Sequence, residues 1–405
     1  MISKEELDQL LESQAFCPFP WQEINLKNDG AYALCCVSNK LGYSIKTHSL
    51  LQHVHSQQMQ EIRKATLEGN SAFLSGYCHH CYYREKMYGS SWRKINIQNI
   101  KKYLGLKTDL RKILSACEYD FQSIRTMDLR LYGNNCNLKC LTCNPINSSA
   151  IAEEARKYNE LPELSALEAS PWEALAEAQK ESFFEDMRKI APNLRKISIG
   201  GGEPFIMKHH LAFIKYLVAE KFSYRITLSY NTNATVLNED ILDLFSHFQK
   251  VILILSIDGG ETLNNYIRSG SQFDVILNNI NKLRKIRNVV LSVNTVVSLL
   301  NIARLSEEYD YIKKTIHPQN IELSILTDPA FLACFHLPEE MKKNVLAKLM
   351  NHGELNSKYA YVLEALRSPG SPEMFDTFVT YIKKTDSRRG TDIRKILPEY
   401  EAFFK

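Results

Sequence analysis

From about residue 122 the chain settles into a regular alternation of two hydrophobic rhythms. "SIRTMDLRLYG" (123–133), "RKISIGGG" (195–202), "YRITLSYN" (224–231), "KVILILSIDG" (250–259), "VVLSVNTVV" (289–297) and "NIELSIL" (320–326) have the length and β-type residues of strands. Helical segments lie between them. "HHLAFIKYLVAEKF" (209–222) places Leu211, Ile214 and Val218 on one face, and "FDVILNNINKLRKI" (273–286) does the same with Ile276, Ile280 and Leu283. Strands alternating with helices predict parallel β/α units. Several of these strands end in polar or glycine runs ("GGGEP", "NTNAT", "SIDGG", "VNTVV"), as the active-site face of a barrel does. A doubly wound sheet also fits the alternation.

The flanks read differently. "MISKEELDQLLESQ" predicts a short amphipathic helix, and "QQMQEIRKATLEG" another. Otherwise residues 1–105 look irregular and rich in cysteine, with no alternation of strand and helix. The stretch 150–190 predicts one or two helices broken at Pro171, and the chain beyond 331 is helical and polar. At 405 residues, two or more domains are expected.

Composition narrows the class. Hydrophobic residues are 44% and charged residues 24%, values of a globular protein. The net charge of +4 is too small an excess to argue for a nucleic-acid partner. No apolar run approaches the ~18 residues of a membrane span, and the N-terminus lacks the apolar core of a signal peptide. A cytoplasmic protein with no membrane partner is expected.

The chemistry lies in the cysteines. "CNLKCLTC" carries Cys136, Cys140 and Cys143 in C-x3-C-x2-C spacing directly after the first strand of the series. In a reducing compartment such a cluster suggests metal more than disulfides, and three thiols leave one unpaired in any disulfide scheme. Iron–sulfur clusters normally take four thiolates, so a triplet leaves one iron open to another ligand. A zinc knuckle completed by a remote Cys or His is the alternative.

"GGGEP" follows the second strand, and with it the chain resembles the radical SAM superfamily over roughly 122–330. That resemblance implies a partial (β/α)6 TIM-type barrel over 120–330. It also implies a [4Fe-4S] cluster on Cys136, Cys140 and Cys143 that chelates S-adenosylmethionine and yields a 5′-deoxyadenosyl radical. It places Gly201, Gly202, Glu203 and Pro204 at the SAM amino group. Asn233, Ser256, Asp258, Arg268 and Asn294 match the family's contacts to the ribose, carboxylate or adenine. Arg268 suits a carboxylate by forked hydrogen bonding. One position departs from the pattern: the residue before the third cysteine is usually aromatic and here is Thr142.

The other cysteines form a second set. Cys17, Gly30 and Cys35 follow a C-x(9–15)-G-x4-C spacing, and Cys78 and Cys81 add a C-x2-C pair. The pattern resembles the twitch and SPASM domains that carry auxiliary clusters, here at the N-terminus rather than after the barrel. This implies an auxiliary-cluster domain over 1–105 with one auxiliary [4Fe-4S] cluster on Cys17, Cys35, Cys78 and Cys81. A structural zinc site is the alternative. Cys36 adjoins Cys35 and could replace it; His79 and His80 read as loop residues facing solvent. Cys117 and Cys334 read as ordinary buried thiols. Cys334, after the sixth strand near the expected barrel mouth, is also a candidate hydrogen-atom donor. Tyr132, Tyr230 and Asp328, near strand ends, are candidates to face substrate, though no motif supports them.

The resulting expectation is a radical SAM enzyme acting on a peptide or peptide-like side chain, with a helical C-terminal region over 331–405. Its electron donor is expected to be a reduced flavodoxin or ferredoxin. Modification of a small metabolite, a sugar or amino acid, is a second reading. A non-catalytic metal-binding interaction module is a third.

Overall fold

The computed structural model describes residues 2–115, 119–160 and 170–405, with Tyr88 by its backbone only; Cys117 lies outside the described residues. The strands are β1 (Glu23–Leu26), β2 (Ala31–Ala33), β3 (Lys40–Ser44), β4 (Thr126–Leu129), β5 (Lys139–Cys140), β6 (Lys196–Ile199), β7 (Thr227–Thr232), β8 (Lys250–Ser256), β9 (Arg268–Ser269), β10 (Val289–Val297) and β11 (Asn320–Ile325). All six predicted strands are present, as β4, β6, β7, β8, β10 and β11. The fold is mixed α/β with a parallel sheet core and a helical C-terminal region, consistent with a partial TIM-type barrel.

The chain forms two compact units. The first comprises Met1–Asn134, Ala166–Tyr230 and Asp243–Val251. Its strands run in the order β7-β6-β4-β1-β2-β3. β4, β6 and β7 are parallel neighbours, with Met127 opposite Ile197 and Ile197 opposite Leu228. Strand side chains alternate between faces. Met127, Leu129, Ile197 and Ile199 are buried on one face. Thr126, Asp128, Lys196 and Ser198 occupy the other, polar face.

The N-terminal segment is more ordered than its composition suggested. β1 pairs in parallel with β4, placing Ile24 opposite Met127, and β2 and β3 extend the sheet antiparallel. The sequence hid this because β1–β3 are only three to five residues long, too short to display a period. Five described helices follow, Leu50–His55, Gln57–Leu67, Ser71–Tyr88, Trp92–Lys102 and Leu104–Leu114. His79 and His80 therefore sit on a helix, not in a loop. Leu7, Leu11, Phe16, Trp21, Ile97, Ile100 and Leu110 form a separate small core. The helix His209–Ala219 also differs from expectation. It buries His210, Phe213, Ile214 and Leu217, one position round from Leu211 and Val218.

The second unit comprises Asn135–Ser165, Asn231–Leu242 and Ile252–Lys405. Its strand order is β11-β10-β8, with β10 and β11 parallel. The helix Phe273–Leu283 buries Ile276, Ile280 and Leu283 as predicted. A separate two-stranded ribbon, β5 against β9, carries part of the cysteine loop.

Candidate functional site

The second unit gathers the triplet with much of the predicted cofactor set. Antiparallel pairing of β5 and β9 sets Cys140 directly opposite Arg268. Arg268 Nη1 lies 3.7 Å from the Cys140 sulfur. Its Nη2 lies 3.0 Å from Asp258 Oδ2, an ion pair whose angle makes no hydrogen bond. Asp258 is fully buried, and its Oδ1 accepts from the Val296 amide at 2.8 Å. Burial pulls the Arg268 pKa down, but Asp258 and the neighbouring thiols outweigh it and hold the pKa above its ordinary value. Arg268 Nε is buried without a hydrogen-bond partner. Such a donor is costly to leave unmade, and it suits a carboxylate ligand.

The loop is secured elsewhere. Asn233 Nδ2 donates to Asn137 Oδ1 at 3.0 Å, and Asn137 Nδ2 donates to Thr235 Oγ1 at 2.8 Å. Asn233 thus braces the cysteine loop. Ser256, at the end of β8, is half-buried. Asn294 accepts from Ser324 Oγ at 2.6 Å. Burial raises the Cys140 thiol, with Arg268 opposing it; burial and then Cys140 push Cys143 up to about 12. Cys140 and Cys143 line a cavity of about 230 Å³ with Asn144, Glu154, Tyr381 and Arg389. Cys334, expected near a barrel mouth, is fully buried, and burial pushes its thiol to about 12. That placement favours a core thiol.

"GGGEP" lies in the first unit. Gly201 has φ +96°, and a Cβ there would stand 2.7 Å from the Gly133 carbonyl oxygen. The glycine lets the turn after β6 meet the turn after β4 backbone to backbone. Glu203 is buried and accepts from the Phe205 amide at 3.2 Å. Tyr132 and Tyr230 are buried in the same unit with His210 between them, ring centroids 5.9 and 5.7 Å away. Neither hydroxyl nor either His210 nitrogen has a hydrogen-bond partner. His210 carried no sequence signal beyond its place at a helix start.

The first unit also brings the second cysteine set together. Cys17, Cys35, Cys78 and Cys81 line one small cavity with Phe19, Pro20, Leu34, Leu74 and Arg93. Cys36 is not part of that lining; it opens onto a separate cleft. Cys78 is the kink of the helix Ser71–Tyr88 (φ −107°, ψ 17°). All four thiols are raised by burial, and Cys78 reaches about 12. Neighbouring thiols add to the shift: Cys78 raises Cys17, and Cys81 raises Cys78. Arg93 opposes this at Cys17, Cys78 and Cys81. Its guanidinium is held by Glu85 Oε1 at 3.0 Å and by the carbonyls of Ser13 and Phe16 at 3.0 and 3.1 Å. Among the described residues, no group of three or more His, Cys, Asp or Glu is gathered closely enough to hold a single metal ion.

The cleft beside Cys36 is about 670 Å³. Its floor is the polar face of β1, β4 and β6, with Glu23, Thr126, Asp128 and Lys196; Trp92, Ile95 and Leu106 form an apolar wall. Burial, then Asp128, pushes the Glu23 carboxyl up to about 8.

Residues 131–312 match the Radical SAM superfamily. The match covers a little under half of the chain, and that superfamily works with a [4Fe-4S] cluster and S-adenosylmethionine. Nothing among curated proteins matches it. Similar solved structures include native anSMEcpe with bound AdoMet, 19% identical, covering 64% of this chain and 66% of that one, TM-score 0.43. Streptococcus suis SuiB bound to S-adenosylmethionine is 15% identical, covering 74% and 60%, TM-score 0.37. SuiB bound to its precursor peptide SuiA is 14% identical, covering 83% and 68%, TM-score 0.37. This chain spans just under two thirds of the length of anSMEcpe. Likeness at these scores assigns it no substrate. No described helix is long and apolar enough to cross a membrane.

Proposed function

We propose that this chain is a cytoplasmic radical SAM enzyme that takes a hydrogen atom from a peptide or peptide-like side chain. The observation that carries the reading is the pairing of Cys140 with Arg268 across β5 and β9. It puts a buried cation with an unpaired donor against the thiol triplet. Cys136, Cys140 and Cys143 hold the cluster. Arg268 receives the SAM carboxylate, with Asp258 holding its guanidinium in place. Gly201, Gly202, Glu203 and Pro204 take the amino group, and Ser256, Asn233 and Asn294 serve the remaining contacts. When bound, cluster and SAM together supply a carbon-centred radical after one-electron reduction. The electron comes from a flavodoxin- or ferredoxin-type carrier.

Cys17, Cys35, Cys78 and Cys81 hold an auxiliary cluster in the region 1–105. Four thiols around a cavity suit a cube, which spreads its thiolates about a volume, better than one small ion. Arg93 offsets part of the charge that four ionised thiols bring into an apolar pocket. The substrate class rests on the first unit's cleft, whose polar floor and apolar wall suit a side chain carried on backbone.

Reconstituted protein with a strong reductant is expected to form 5′-deoxyadenosine, and Cys140→Ala to form none. Unchanged product from that variant removes the cluster assignment. Deuterium passing into 5′-deoxyadenosine from deuterated peptides, but not from deuterated sugars or free amino acids, supports the peptide reading; the reverse result replaces it.

A further inference from the structure

The C-terminal helix Pro372–Arg389 showed no functional signal in the sequence, yet it holds both residues that flank Cys140. Arg389 Nη1 donates to the Lys139 carbonyl at 2.8 Å, and the Tyr381 hydroxyl donates to the Leu141 carbonyl at 3.0 Å. Glu154 orients the guanidinium, accepting from Nε at 3.2 Å and from Nη2 at 2.6 Å. The same carboxylate accepts from Lys139 Nζ at 3.0 Å. The side chain of Arg389 is 8% exposed and that of Glu154 15%, so this pair is shielded from water, while Lys139 at its edge is half-exposed. Tyr381 and Arg389 also line the cavity that Cys140 and Cys143 open onto. The helix end is tied down in turn: Asp386 accepts from the Tyr266 hydroxyl at 3.0 Å and from the Ile393 amide at 2.8 Å.

We infer that Arg389 is a positioning residue for the cluster of the triplet, fixing the backbone on the N-terminal side of Cys140 and placing a second positive charge, beside that of Arg268, near its sulfur. This rests on the assignment of the triplet made above. Reduction adds negative charge to a cluster, so a nearby fixed cation favours the reduced state, and hydrogen bonds and charge are known levers on cluster potential. A fork already held by Glu154 loses little freedom in doing so. Tyr381 secures the other flank without charge.

The test uses the full chain, reconstituted and reduced under potential control, with the electron paramagnetic resonance of the cluster read with and without SAM. SAM perturbs only the cluster it binds, which separates the triplet signal from any N-terminal one. Arg389→Gln is expected to lower the SAM-responsive signal several-fold at a fixed potential and to move its midpoint negative. Arg389→Lys, which keeps the charge and one donor, is expected to restore most of the signal. Tyr381→Phe is expected to broaden the signal with a smaller shift of midpoint. Arg394→Gln, at an exposed pair with Asp392, serves as the control. A midpoint in Arg389→Gln equal to wild type overturns the inference. So does an Arg389→Lys protein as impaired as Arg389→Gln, since that result marks a packing role alone. Should Arg389→Gln load no iron at the triplet, the same contrast with Arg389→Lys is read in iron content. Wild-type protein with iron but no SAM-responsive signal instead removes the assignment of the triplet itself.

Discussion

The two thiol sets solve one problem by opposite means. The triplet lies within eight residues on one loop, and charged side chains surround it: Arg268, Asp258, Glu154 and Arg389. The N-terminal set is drawn from residues 17 to 81, and the cavity it lines is apolar apart from Thr66 and Arg93. Spacing alone gathers the first set. Only folding gathers the second. In the proposed reading, a loop with three thiols and, beside it, a guanidinium whose Nε has no hydrogen-bond partner leaves a coordination position for a ligand. In the same reading, four thiols around a small, mainly apolar cavity close a site.

Removing each set in turn is the sharpest test of that contrast. Two cubes predict about eight irons per chain. Replacing Cys136, Cys140 and Cys143 together is expected to leave about four irons, abolish 5′-deoxyadenosine and keep the first unit folded, because metal binding stabilises locally. Zinc rather than iron in that protein makes the N-terminal site structural. Replacing Cys78 and Cys81 is expected to remove the other half of the iron and destabilise the first hundred or so residues while SAM still binds. Loss of SAM binding there, measured by titration, breaks the proposed independence.

Arg93 probes the second site without touching a thiol. Its side chain is 4% exposed and is paired with Glu85. Arg93→Met leaves that largely shielded carboxylate without its ion-pair partner, at an expected cost of about 3–5 kcal/mol in chemical denaturation, together with loss of iron from the N-terminal set only. Arg268 probes the first site. Arg268→Ala is expected to weaken SAM binding by about 1.5–3 kcal/mol, with iron content intact. SAM affinity equal to wild type takes Arg268 out of the site.

The smallest effect concerns the cleft. Glu23 ionises near 8 in the fold against an ordinary 4.5, because of burial and then Asp128, with Thr126 and Lys196 opposing. The folded state therefore holds a proton that the unfolded chain has released, and stability falls as pH rises from about 4.5 to about 8. Glu23→Gln removes this penalty. The variant is expected to match wild type near pH 4.5 and to exceed it near pH 8, by well under the roughly 5 kcal/mol ceiling that a shift of this size sets, because Glu23 is only half-buried and water screens its charge. Parallel thermal unfolding curves at both pH values decide it, and an equal gain at pH 4.5 excludes the carboxyl as the cause.

Local sequence determined a good deal of this molecule. The strands β4, β6, β7, β8, β10 and β11, the C-x3-C-x2-C loop and the glycine-rich turn after β6 are each encoded within about ten consecutive residues, where periodicity and spacing act directly. Gly201 belongs here as well, since its close approach to Gly133 requires a residue without a side chain. Other features were decided only by the tertiary structure. β1 became a strand by pairing in parallel with β4 about a hundred residues later. His210 took a buried place between Tyr132 and Tyr230 that its position at a helix start did not announce. Cys35, which the G-x4-C count favours, and its neighbour Cys36 are set apart because successive residues point to different surroundings, one to the thiol cavity and one to the cleft. The bond from Arg389 to the Lys139 carbonyl closes a loop of 250 residues. No local pattern encodes such a contact: its partner is a backbone carbonyl, which every residue carries, and only the packed chain selects which one.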